Sequence, residues 1–195
     1  MSAWRRVVLA TVALAAACCP AAAYPEFQKF SQANSGRVTD CAMCHRHPDG
    51  PEGAAFGQIG SLTPAQLADL GKARAAFEPG VEVNSPILND FGNHIITTVG
   101  KSHVLQFRSH PEELATALGM ESDLDADGIP DAREFLEGTH PLQKTSGDPW
   151  TLFVTNLKRA KFHVGMIVLA TVLGMYGLAN LLRGAHAVAA RYRER

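Results

Sequence analysis

Residues 39–50 read TDCAMCHRHPDG, with Cys41 and Cys44 separated by two residues and His45 directly after the second thiol. Few chemistries want that order. A dithiol redox pair wants a βαβ setting, and no such pattern follows. A zinc site built on Cys-x2-Cys wants a second pair of ligands, and the only other cysteines are Cys18 and Cys19, near the start of the chain. In an oxidising compartment two lone cysteines could form a disulfide. The histidine changes that balance, because Cys-x-x-Cys-His is the pattern of covalent haem attachment. Each thiol adds to one vinyl group, so both must reach one edge of the porphyrin. The next residue then falls beneath the iron as its proximal ligand.

A second set of chemical residues lies in SDLDADGIPDAREFLEG. From Asp123 to Glu134 the chain reads D-x-D-x-D-G-x5-E, the pattern of a twelve-residue calcium loop. Asp123, Asp125 and Asp127 stand at positions one, three and five, and Gly128 supplies the sharp turn at six. Ile129 offers a backbone carbonyl at seven, Asp131 stands at nine, and Glu134 can bind through both oxygens at twelve. Without an ion, five carboxylates so close together repel. Pro130, at position eight, departs from the EF-hand form, because proline lacks the N–H that the loop uses there.

CAMCH with an export signal resembles the c-type cytochromes. The resemblance rests on about a dozen residues and implies that Cys41 and Cys44 carry haem c through thioether bonds while His45 ligates the iron. DADGIPDAREFLEGTHP resembles the bacterial thrombospondin type 3-like and EF-hand-like calcium repeats, which often run on into a Gly-Thr-x-Pro turn such as Gly138–Pro141. An electron-transfer haem usually has a strong ligand on each face, whereas an open distal face suits ligand binding or catalysis. His94 is the preferred distal candidate because it stands beside an apolar stripe of helical spacing formed by Ile87, Leu88, Phe91, Ile95 and Val99. His103 is the second choice and His110 the third, with Met120 a further possibility. His47 is too close to His45 to cross the ring, and His163 stands at the membrane boundary.

The ends of the chain set the compartment. Residues 1–23 carry Arg5 and Arg6, an eleven-residue apolar run from Val7 to Ala17, and Ala21–Ala23 before Tyr24, which is the form of a cleaved export signal. Its removal would leave Cys41 and Cys44 as the only cysteines. Val164 to Leu182 is 19 residues without a charge, or about 28 Å of helix at ~1.5 Å per residue, roughly one hydrocarbon thickness. Both flanks of this stretch are basic, so charge alone orients it poorly. The export signal orients it, with the middle of the chain outside the cytoplasm and residues 184–195 inside. From Tyr24 to His163 there are 12 basic and 18 acidic residues, a net of −6 that the near-neutral whole chain hides. A nucleic-acid partner is not expected.

Between these features, Thr63-Pro64-Ala65-Gln66 opens a helix with a cap, an early proline and a capping-box glutamine. Its apolar face is Leu67, Leu70, Ala73 and Phe77. Further helices are expected over Pro111–Leu118 and Asp131–Glu137, with no strand. The expected class is mainly α: a small helical haem-binding domain with long loops, plus one C-terminal transmembrane helix. The divisions are a signal peptide over 1–23, a monohaem domain over 24–120 and a calcium segment over 121–143. A linker over 144–162, a span over 163–183 and a basic tail follow. Calcium would be structural, fastening the end of the haem domain to the stalk. The expected function is single-electron transfer beside a membrane-bound respiratory oxidoreductase at the periplasmic face of a bacterial inner membrane. A small haem enzyme or gas sensor with an open distal face is the alternative, and a structural subunit of a larger respiratory complex is a third.

Overall fold

The computed structural model describes residues 24–193; the expected signal peptide lies outside them. Among the described residues the chain is mainly helical and has no strand. By internal contact it divides into a unit that ends at Gly147 and a second that begins at Asp148. The first unit holds α1 (Pro25–Ser35), α2 (Pro64–Arg74), α3 (Asp90–Phe107), α4 (Glu113–Leu118) and α5 (Asp131–Glu137). The second holds α6 (Pro149–Arg159) and α7 (Lys161–Arg193).

The capping box at α2 forms as expected. Thr63 Oγ1 accepts from the Gln66 N–H at 3.3 Å, and Gln66 Oε1 accepts from the Thr63 N–H at 2.9 Å. Leu70 is buried from this helix, while Leu67 and Phe77 remain half exposed. The helix stops at Arg74, so Phe77 belongs to the following loop.

The core of the first unit gathers Phe27 of α1, Phe91, Ile95, Val99 and Val104 of α3, Leu114 and Leu118 of α4, and Phe135 of α5. α5 packs on both α1 and α4. The acidic segment therefore lies in the same unit as the Cys41–His45 motif. Gly100 interrupts α3 at φ 75° and ψ 150°. The loop 76–79 enters that break, with the Lys101 N–H donating to the Ala76 carbonyl at 3.1 Å and the Ser102 N–H to the Phe77 carbonyl at 3.2 Å.

In the second unit, the expected linker contains α6. Asp148 Oδ1 caps it by accepting from the Trp150 and Thr151 N–H groups at 3.0 Å each, and Pro149 follows the cap. α7 is 33 residues long with a mean hydropathy of 1.8 over its most apolar stretch, long and apolar enough to cross a membrane. It contains all of residues 164–182 and buries none of its side chains within the chain.

Two glycines test the packing. A Cβ on Gly92 would collide with the Cys44 carbonyl oxygen, whereas one on Gly71 in α2 meets nothing within 4 Å. Gly92→Ala should cost about 1–3 kcal/mol by overpacking against backbone. Gly71→Ala should gain up to about 1 kcal/mol from helix propensity. Denaturant titration of the two variants checks the opposite signs.

Candidate functional site

The attachment stretch folds as one tight turn. Cys41–Met43 is a short 3-10 segment capped by Asp40, whose Oδ1 accepts from the Ala42 N–H at 2.9 Å. The His45 N–H donates to the Cys41 carbonyl at 2.8 Å, so the imidazole follows the two thiols around one turn. Segment 85–92 grips this turn from outside. His45 pairs with Leu88 in an antiparallel bridge, and the Asn89 N–H donates to the Cys44 carbonyl at 3.1 Å. Asn89 also caps α3, accepting from the Gly92 N–H at 2.8 Å. Its Nδ2 donates to the Ala42 and Met43 carbonyls at 2.7 and 3.0 Å. Asn89 is the positioning residue that sequence reading missed. Its only local signal is a cap ahead of a helix, and its partners lie more than forty residues away.

His45 Nδ1 lies 3.3 Å from the Ile87 carbonyl oxygen. A carbonyl only accepts, so Nδ1 carries the proton and the Nε2 lone pair is left for a metal. Burial holds this histidine below the ordinary imidazole range, against the opposing pull of the Ile87 hydrogen bond. A neutral ring is the form that ligates. Burial pushes the Cys44 thiol up to about 12 and raises Cys41 as well, with Asp40 and Asp49 adding to the latter. As free thiols both would be poor nucleophiles and poor redox partners.

Cys41, Cys44 and His45 all border one cavity of about 380 Å3, within the usual ~300–1,000 Å3 of cofactor pockets. Its walls are largely apolar and include Phe27, Leu70, Val83, Ile95, Val104 and Phe135. The donor set, the free Nε2 and the glycine at the closest approach of α3 fit a haem. The rim is polar, with Gln28, Glu52, Arg74 and Lys101.

None of the expected distal ligands borders this cavity. α3 faces it with Gly92, Ile95 and Ile96. At about 100° per residue, His94 leaves the helix on another side, where its Nε2 lies 3.4 Å from Thr98 Oγ1. His103 stands beyond the Gly100 break, exposed, with Nδ1 donating to the Val99 carbonyl at 2.7 Å. His110 is exposed beside Glu112, and Met120 is exposed. His47 organises its own loop, its Nδ1 accepting from the Asp49 N–H at 3.2 Å. Among the cavity-lining residues, the sulfur and imidazole donors are Cys41, Met43, Cys44 and His45, all from the attachment turn.

The acidic loop forms a second candidate site. Asp123, Asp125 and Asp127 bring one carboxylate oxygen each within 4.8 Å of one another. Backbone amides shape the loop: Gly128 N–H donates to Asp123 Oδ2 at 2.8 Å, and Ile129 N–H to Asp127 Oδ1 at 2.7 Å. Glu134 is fully buried, Asp125 and Asp127 nearly so, and each has an oxygen without a hydrogen-bond partner. Buried carboxylate oxygens without donors are costly, and a hard cation between the three aspartates would relieve them, with Glu134 just outside the cluster of oxygens that lie within 4.8 Å of one another. Asp131 takes a different place from the one expected. Its Oδ2 accepts from the Ser122 hydroxyl and its Oδ1 from the Leu124 N–H at 3.0 Å, which closes the loop onto α5. Ile129 is buried, with its side chain in the unit's interior.

Comparison with protein-family models, curated proteins and solved structures finds no match to this chain.

In the metal-free loop, burial and then the charges of Asp125, Asp127 and Asp131 push the Glu134 carboxyl from 4.5 up to about 9. Between those values the folded chain holds a proton that the unfolded chain lacks, so metal-free stability falls as pH rises across that window. An ion must displace the proton, so calcium affinity should rise through the same window, by up to about tenfold per pH unit. Calorimetry in buffers of different ionisation enthalpy should find close to one proton released per ion at pH 7. Calcium binding without proton release would contradict the assignment of Glu134.

Proposed function

We propose that the chain is a membrane-anchored monohaem c-type cytochrome. It carries single electrons at the periplasmic face of a bacterial inner membrane, with a structural calcium ion in the same unit. The observation that carries this reading is the apolar cavity bordered by both thiols and by an imidazole whose Nδ1 is already engaged. A bound haem would supply an iron that gains and loses one electron.

The chain's own residues do the holding. Cys41 and Cys44 fix the porphyrin edge, and His45 presents Nε2 to the iron. The Ile87 carbonyl sets the tautomer and orientation of that ring, while Asn89 holds the turn that bears all three. The apolar walls exclude water, which limits reorganisation when charge on the iron changes. α7 supports the anchor, and tethering raises the effective concentration beside a membrane-bound oxidoreductase. The excess of acidic residues in 24–163 suits a partner with a basic docking face.

One observation favours a second reading. Among the described residues, no histidine or methionine from outside the attachment turn borders the cavity. A haem left with an open or labile sixth position would bind small ligands, as a gas sensor or small haem enzyme does. The test is an absorption spectrum of the purified full chain, oxidised, reduced, and reduced under carbon monoxide. The electron-carrier reading expects a c-type α band that carbon monoxide leaves unchanged. A spectrum that shifts at once would move the ligand-binding reading to the front, and no α band from cells able to mature cytochromes would remove both.

A further inference from the structure

The calcium loop and the attachment turn are joined by a short chain of contacts. Thr139 N–H donates to the Glu134 carbonyl at 2.9 Å, and Thr139 Oγ1 lies 3.4 Å from Glu134 Oε1. His140, the next residue, reaches the attachment turn: its Nε2 lies 3.1 Å from the Ala42 carbonyl oxygen. The tautomer follows from its other nitrogen. The Leu142 N–H donates to His140 Nδ1 at 3.2 Å, so Nδ1 is unprotonated and Nε2–H donates to Ala42. A surface histidine would leave one nitrogen to water; this one has both engaged.

Two further ties run in parallel. Ser31 Oγ donates to the Phe135 carbonyl at 2.7 Å, and Asn34 Nδ2 to the Leu136 carbonyl at 2.8 Å, fixing α5 to α1. Phe135, beside Glu134 in sequence, is 1% exposed, borders the haem cavity and meets Phe30 with ring centroids 5.9 Å apart. Whatever fixes Glu134 therefore fixes a cavity wall and a donor to the attachment turn.

We propose that His140 is a positioning residue for the haem, and that calcium acts on the haem through it. This rests on the haem and calcium readings above. With the loop filled, Glu134 is held, the Thr139–His140 turn is held with it, and His140 keeps the Cys41–His45 turn in place. With the loop empty, the Asp123, Asp125 and Asp127 carboxylates repel one another across the loop and Glu134 loses the ion that holds it, so α5 loosens and both the Ala42 contact and the Phe135 wall give way. Coupling of this kind is reciprocal and usually amounts to about 5–150-fold between two sites.

The experiment uses the haem-loaded full chain in detergent, titrated with imidazole as a ferric-iron ligand, with calcium saturating and after chelation, elemental analysis reporting the ion. Removing calcium should tighten imidazole binding at least about fivefold, the lower end of that range. His140→Leu should show the tighter binding with its calcium still bound and should lose most of the response to chelator. His140→Gln, which keeps an N–H donor, should restore wild-type behaviour, a rescue that loss of bulk stability alone would not give. An imidazole affinity that stays within twofold while the ion demonstrably leaves would overturn the coupling and spare both sites. A chain that never holds calcium would overturn the calcium reading and the coupling together, and a haem-free chain would overturn the haem reading and with it the coupling.

Discussion

Everything in the first unit depends on where the carbonyl groups of one tight turn go. The Cys41–His45 turn is too short to satisfy its own backbone, and orphaned carbonyls near an apolar cavity would be costly. One carboxamide answers most of this need: Asn89 Nδ2 reaches two carbonyls while Oδ1 caps α3. The same side chain thus starts the longest helix among the described residues of the unit and fixes the turn carrying both thiols. That contact requires α3 to lie against Cys44, and Gly92 is the residue that permits it.

The acidic segment follows the same logic with charge in place of backbone dipoles. Asp125, Asp127 and Glu134 are buried together, with an unpartnered oxygen on each. Their burial is costly alone and favourable around a cation, so the ion would become part of the core as well as of the loop. α5 carries this dependence inward, since its other face supplies Phe135 to the cavity and Ala132 to the core. A unit this small has few residues to spare for packing. Two bound groups sharing one helix would supply cohesion that its apolar side chains alone do not.

Local signals were legible in the sequence and long-range ones were not. The Thr63 capping box and the helix Asp131–Glu137 are written in consecutive residues, and they form as read. The apolar run 164–182 was equally plain. α1 was missed because Phe27, Phe30 and Ser31 make only a narrow buried face, and α6 because its Asp148-Pro149 start was read as part of a linker. The stripe through Phe91 and Ile95 correctly marked the inner face of α3, but His94 is rotated off the part that meets the cavity. Asn89 and His140 could not be read as partners of the Cys41–His45 turn at all, because the Ala42 carbonyl they meet lies 47 and 98 positions away.

The central claim is that Cys41 and Cys44 hold a haem covalently while His45 stands beneath it. Intact-mass measurement of the full chain under denaturing conditions, expressed in cells that mature c-type cytochromes, tests this most directly. The account predicts one haem's added mass that survives denaturation and disappears in the Cys41→Ser, Cys44→Ser double variant. A chain that carries the bare polypeptide mass, with both thiols free to alkylate once unfolded, would contradict it.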